Sequence, residues 1–359
     1  MEVMPIDGLD DFEMRLKRQD AFWDCAVLDR PCVHLTIPRT KAGYPAPAGN
    51  HGSFYDRWMD VEYQAENALA TVKNTIYMGD ALPRQCPNLG PDFFPALYGG
   101  EMVFEDSTSF INPFLPSWAE ADRLVWSREH PYWKKMEELY DAFLEAGKNT
   151  FYVGWPDLHP GADCLVGLRG PQAMAIDLFD EPEAVKTMLK MVTKDFFEVY
   201  DHYYKKLTAS GQTCTGWPEI VSTRKWHVPS CDFSYMIGPE QFDEFFLDGL
   251  RQECDFFEAS LHHLDGVGCL NHLDSLLEIE SLNAVQWVWG AGKGTALNWI
   301  DVFKKIQAAG KGIQLLEVRP DQLDSIIETL RPEGVWMKIT GVESEAAGNA
   351  LLKKVSHWV

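Results

Sequence analysis

Ser260-Leu261-His262-His263-Leu264-Asp265, Ala284-Val285-Gln286-Trp287-Val288, Ile313-Gln314-Leu315-Leu316-Glu317-Val318 and Val335-Trp336-Met337-Lys338-Ile339-Thr340 are four short apolar runs in one stretch of chain, residues 260–340. Each is too short for a helix and rich in Val, Ile, Leu and Trp. That is the pattern of a strand covered on both faces. Segments with helical spacing separate them, so strand and helix alternate, which calls for a parallel sheet. Working back toward the N-terminus, Cys32–Ile37 and Thr150–Gly154 repeat the pattern, and Arg84–Asn88 and Gln212–Thr215 repeat it weakly. Helices are expected over Asp56–Met78, Glu183–Leu207 and Pro239–Glu258. Pro239 suits a first helical turn, and Phe242, Phe245, Phe246 and Phe257 mark a buried stripe. Eight strands with intervening helices predict an α/β fold, a (β/α)8 TIM barrel spanning 1–359 as a single domain. Residues 1–30 form an N-terminal helical extension to it.

Composition narrows the function. The chain has 359 residues, 46% of them hydrophobic and 24% charged, the profile of a folded protein. Its net charge of -22 opposes phosphate backbones and anionic membrane surfaces, so no nucleic-acid or membrane partner is expected. No window reaches the ~18 apolar residues of a membrane helix. The N-terminal stretch is acidic and lacks the apolar core of a signal peptide. The eight cysteines are scattered and none forms a C-x-x-C pair. They read as reduced thiols of a cytoplasmic protein, which removes zinc ribbons and iron–sulfur clusters.

In a barrel the reactive groups sit where strands end on the C-terminal face. His263 and Asp265 close one strand and share a face by alternation, and Glu317 falls on the face of Ile313 and Leu315. Asp157 and His159 follow the third strand. Each has an ordinary structural alternative: a hydrogen-bonded pair at the barrel mouth, loop capping, or an ion pair of Glu317 with Arg319 or Lys338. Trp217 and Trp287 lie near strand ends, where Trp either packs the core or lines a pocket for a flat, apolar or onium ligand. Residues 290–294 form a glycine-rich turn without Walker or dinucleotide spacing.

Several segments resemble the uroporphyrinogen decarboxylase superfamily, in its decarboxylase-like and corrinoid-dependent methyltransferase branch. The resemblance rests on Cys231 to Phe242, on His263-Leu264-Asp265-Gly266, His272-Leu273-Asp274 and Gln286-Trp287-Val288, and on Pro87-Asn88-Leu89-Gly90-Pro91 and Leu168-Arg169-Gly170-Pro171. It implies the same barrel, a homodimer and a substrate contact at Asn88. Strand one is followed by Pro38-Arg39-Thr40-Lys41, without the arginine-rich loop of porphyrinogen decarboxylases. The methyltransferases of the branch hold zinc with His-x-Cys-Gly and a later cysteine. Here Asp265 takes the first cysteine's place and no cysteine follows strand eight. The zinc site carried over is therefore His263, Asp265 and Glu317, a harder imidazole–carboxylate set.

The expected function is methyl transfer from a small methylated compound, methoxyaromatic or methylamine-type, to a corrinoid carried by a partner protein. His263, Asp265 and His159 are the catalytic candidates. Asn88, Asp157, Trp217 and Trp287 are the substrate-binding candidates. The alternatives are a metal-free decarboxylase or lyase acting on a small carboxylate through Asp157, His159 and His263, and a binding protein without chemistry.

Overall fold

The longest strands are those with the longest apolar runs. The computed structural model describes residues 3–41 and 43–359. Its strands are β1 (Cys32–Pro38), β2 (Thr75–Gly79), β3 (Arg84–Gln85), β4 (Met102–Phe104), β5 (Ser109–Ile111), β6 (Tyr152–Val153), β7 (Cys214–Thr215), β8 (Val221–Ser222), β9 (Trp226–His227), β10 (Ala259–Asp265), β11 (Ala284–Val288), β12 (Gly312–Val318) and β13 (Val335–Ile339). A seven-stranded sheet has the order β2-β1-β13-β12-β11-β10-β9. All its ladders are parallel except that of β2 with β1. β3 and β6 form a parallel pair, and Trp155 N donates to Thr215 O to join β6 to the end of β7. β4–β5 and β7–β8 are antiparallel hairpins.

Strands occur in all eight expected segments. Among the described residues the ladders of these eight divide between the seven-stranded sheet and two of the pairs, rather than forming one unbroken ring of eight. The fold shown is thus α/β with a large, mostly parallel central sheet. Two expected helices are cut. Asp60 accepts from Tyr63 N and caps a new helix, so Asp56–Met78 becomes Phe54–Met59, Val61–Lys73 and strand β2. β2 covers the free edge of β1, a gain that helical spacing cannot register. Pro239–Glu258 breaks at Phe246 into Pro239–Phe245 and Leu247–Phe256.

The helix Phe12–Trp23 sits against the N-terminal ends of the strands. Gln19 donates to Asp80 O and accepts from Val221 N, and Trp23 Nε1 donates to Ser222 Oγ. Asp80, fully buried, takes Arg18 at 3.1 Å and Arg30 at 2.5 Å and accepts from Val33 N. With that end sealed, the opposite, C-terminal end is the open one.

Candidate functional site

Three connections converge on the C-terminal end. The segment after β6 brings Asp157 and His159. The tip of the β7–β8 hairpin brings Trp217. The turn after β9 brings Ser230 and Asp232. With His263 of β10 they line a cavity of about 220 Å³. A second hollow of about 400 Å³, lined by Asp92, Asp163, Phe233 and Met236 among others, shares His159 and Asp232 with the first.

The hairpin tip is held from below. Glu219 has φ 68°, an uncommon conformation for a residue with a side chain. Its carboxylate meets Lys338 Nζ at 2.7 Å, Arg84 Nη2 at 3.3 Å and His34 Nε2 at 3.6 Å. Arg84 also donates to Trp217 O. Burial opposes the charge on Glu219, but His34, Arg84 and Lys338 outweigh it and hold the carboxyl down to about 2. At Gly216 a Cβ would stand 2.2 Å from the Trp155 ring, so only glycine lets the tip descend. The result is Trp217 edge-on to the His263 ring, centroids 5.0 Å apart.

The charges around His159 fix its state. Its Nε2 lies 3.4 Å from Asp157 Oδ1. Burial pulls its pKa down, but Asp157, and beyond it Asp163 and Asp232, push it up to about 10. His159 is therefore an imidazolium at neutral pH. For Asp157, burial acts upward but the neighbouring histidines win, and its pKa falls below the usual carboxylate value. Burial and the nearby Asp232 raise Asp163, which accepts from Ser230 Oγ, Asp232 N and Phe233 N and so pins the 230–233 turn. Asp265 stands 3.9 Å from His263 Nε2, and burial raises its pKa.

Of the residues expected from sequence, Asp157, His159, Trp217 and His263 share one cavity and Asp265 adjoins it. Three do not join them. Asn88 is exposed, and its Oδ1 accepts from Gly90 N within its own turn. Trp287 is fully buried and packs on Trp299 at 5.3 Å, because its neighbour Gln286 takes the inward face. Glu317 lies on a bulge. Leu315 pairs with Met337 but Val318 pairs with Ile339, so β12 carries one extra residue. Glu317 takes φ 53° there and turns out to solvent. Trp287 and Glu317 line a different hollow of about 350 Å³ beside Gly290–Gly292.

The proposed zinc set fails this geometry: Gln314 takes the face of His263, so the Ile313 and Leu315 face expected for Glu317 is the opposite one, and the bulge then turns Glu317 to solvent. Among the described residues no three His, Cys, Asp or Glu side chains are grouped to hold a metal ion. No described helix is long and apolar enough to cross a membrane. Sequence reasoning missed Asp163 and Asp232, which come from a helix and a short turn and carry no local periodic signal. It also passed over Gln286, whose Oε1 lies 2.5 Å from His263 Nδ1.

No family model and no curated protein sequence matches the chain. Among solved structures, a methyltransferase from Methanosarcina mazei is similar in fold, with a TM-score of 0.58 at 14% identity. The match covers 96% of this chain and 98% of that one.

Proposed function

We propose that the chain is a methyltransferase that takes a methyl group from a small methylated compound and delivers it to a corrinoid on a partner protein. The observation that carries this reading is the wall of the two hollows. Their lining holds Asp92, Asp157, Asp163, Asp232, two histidines and Trp217, with no Lys or Arg among them. Such a wall suits a neutral or cationic methyl donor and opposes a carboxylate substrate. Arg84 and Lys338, the cations beside the hairpin tip, are both paired with Glu219. We therefore rank the carboxylate decarboxylase second. The fold likeness to a methyltransferase agrees with the first reading, at an identity that speaks for the fold alone.

His159 is the proton donor of this scheme. When an ether carbon–oxygen bond breaks, the methyl group goes to the acceptor and the bonding pair stays on oxygen. That oxygen takes the His159 proton, and Asp157 and Asp163 hold the imidazolium until then. Trp217 offers a flat apolar wall to the donor. No step is routed through zinc, since the ligand set carried over from the family does not converge. The same reading takes the eight parallel segments as a closed (β/α)8 barrel of the uroporphyrinogen decarboxylase superfamily. It takes the chain as one domain over 1–359, with 1–30 as an extension, acting as a homodimer in the cytoplasm.

The test uses purified protein with cob(I)alamin standing in for the partner's corrinoid. Methoxyaromatics and methylated amines are offered as donors, and methylcobalamin is followed by absorbance. Methylation that is lost in His159→Gln supports the reading. Release of carbon dioxide from a small carboxylate, with no methylation by any donor, overturns it.

A further inference from the structure

We propose that Gln286 and Gln314 are positioning residues that fix the tautomer of His263, so that its Nε2 carries the lone pair at the cavity. His263, Gln286 and Gln314 lie on three adjacent parallel strands and are register partners in turn. Their side chains therefore stand at one level on one face. His263 Nδ1 is 2.5 Å from Gln286 Oε1, Gln286 Nε2 is 2.5 Å from Gln314 Oε1, and Gln314 Nε2 is 2.7 Å from Pro218 O. Both amides are buried.

The direction of this chain follows from its far end and does not depend on how the amides are assigned. Pro218 offers a carbonyl oxygen, which can only accept, so Gln314 must present its NH₂ group to it. The oxygen of Gln314 then faces Gln286 and obliges Gln286 to donate. The oxygen of Gln286 in turn faces His263 Nδ1, which must carry a hydrogen. Flipping either amide would set oxygen against oxygen or N–H against N–H in a site closed to water. A neutral imidazole with hydrogen on Nδ1 has its lone pair on Nε2. That atom lies 3.9 Å from Asp265 Oδ2, in a ring that lines the cavity and meets Trp217.

The hairpin tip thus has two tasks. Glu219 anchors it among cations, and Pro218 starts the relay that ends at His263. The tautomer stands whatever the reaction is. Its consequence, that Nε2 is ready to accept a proton or bind an electrophile at the methyl donor, rests on the methyl-transfer reading.

Nitrogen-15 NMR of histidine-labelled protein, at a pH where His263 is neutral, tests the inference without turnover. The His263 resonance is assigned by its loss in His263→Gln. Wild-type protein should show His263 with a protonated Nδ1 and a bare Nε2. Gln286→Leu should lower the ratio of Nδ1–H to Nε2–H about five- to tenfold, the worth of one hydrogen bond. Gln286→Glu, which can still accept, should keep the wild-type tautomer, whereas a purely packing role would not separate these two variants. A wild-type His263 protonated at Nε2 with Nδ1 bare overturns the inference, as does Gln286→Leu with an unchanged tautomer. The wild-type spectrum suffices should the variants not fold. Failure of the methyl-transfer assay with the expected tautomer present would count against the function and not against the relay.

Discussion

His227→Phe should remove a large part of the protein's acid sensitivity. His227 is 1% exposed and neither ring nitrogen has a hydrogen-bond partner. Its ring lies among Phe196 at 4.8 Å, Phe257 at 5.2 Å, Tyr200 at 5.5 Å and Trp155 at 6.2 Å. Burial lowers its pKa from 6.5 to about 3; Asp157 pulls the other way and His159 adds to the fall. A histidine depressed in the folded state is protonated first in the unfolded chain. Its contribution is complete above 6.5 and is lost as pH falls toward 3. At about pH 5 the unfolded imidazole is almost fully protonated and the folded one almost not at all, a difference of about 2 kcal/mol. At about pH 7.5 the same term is near zero.

Urea unfolding of wild type and His227→Phe at these two pH values isolates the term. The packing cost or gain of the phenyl ring does not depend on pH and cancels in the comparison. Wild type should lose about 2 kcal/mol more than the variant between the two conditions. Equal losses would mean that His227 protonates in place, and the account of an unpaired imidazole in an aromatic cage would fail.

Three further outcomes follow from other parts of the molecule. Asp80→Ala should cost about 3–5 kcal/mol in urea unfolding, since Arg18 and Arg30 would then lack their buried carboxylate; a loss under about 1 kcal/mol would deny the cluster its structural role. Glu253 is buried beside a cavity of about 180 Å³ with Oε2 unpartnered, and burial raises its pKa well above 4.5. Stability from such a group is present below 4.5 and declines as pH rises, so Glu253→Gln should raise Tm at alkaline pH and leave it unchanged at about pH 4. His159→Gln should slow methyl transfer by about 10²–10⁴-fold, the usual worth of a positioned acid, while Trp287→Phe should leave the rate within a few-fold; the reverse ranking would place the chemistry at the glycine-rich turn.

The legibility of the fold tracked how far each strand is buried. β10 to β13 are largely apolar runs because both faces of the sheet are covered there, and their ends were readable to within a residue or so. β3, β6 and β7 are two residues each; β3 and β7 gave only weak signals, and β6 is shorter than the Thr150–Gly154 run that announced it. β2 was read as helix because the apolar spacing of Val61–Lys73 runs on through it. Its strand character comes from β1, a partner about forty residues earlier in the chain.

The site was legible where a side chain's position depends only on its own strand, and illegible where it depends on a neighbour. His263 faces the cavity because alternation along β10 is unbroken. Glu317 was placed by alternation with Ile313 and Leu315, but the register of Gln314 with Gln286 and His263 puts that face opposite His263, and one inserted residue in β12 then turned Glu317 to solvent. Nothing in Leu315-Leu316-Glu317-Val318 announces the bulge. The fault line shows only against β13, where Ile339 finds Val318 in the place that Glu317 would have held. The same dependence on register makes Gln286 and Gln314 ordinary polar residues in the sequence. In the folded sheet they become consecutive links between the hairpin tip and His263.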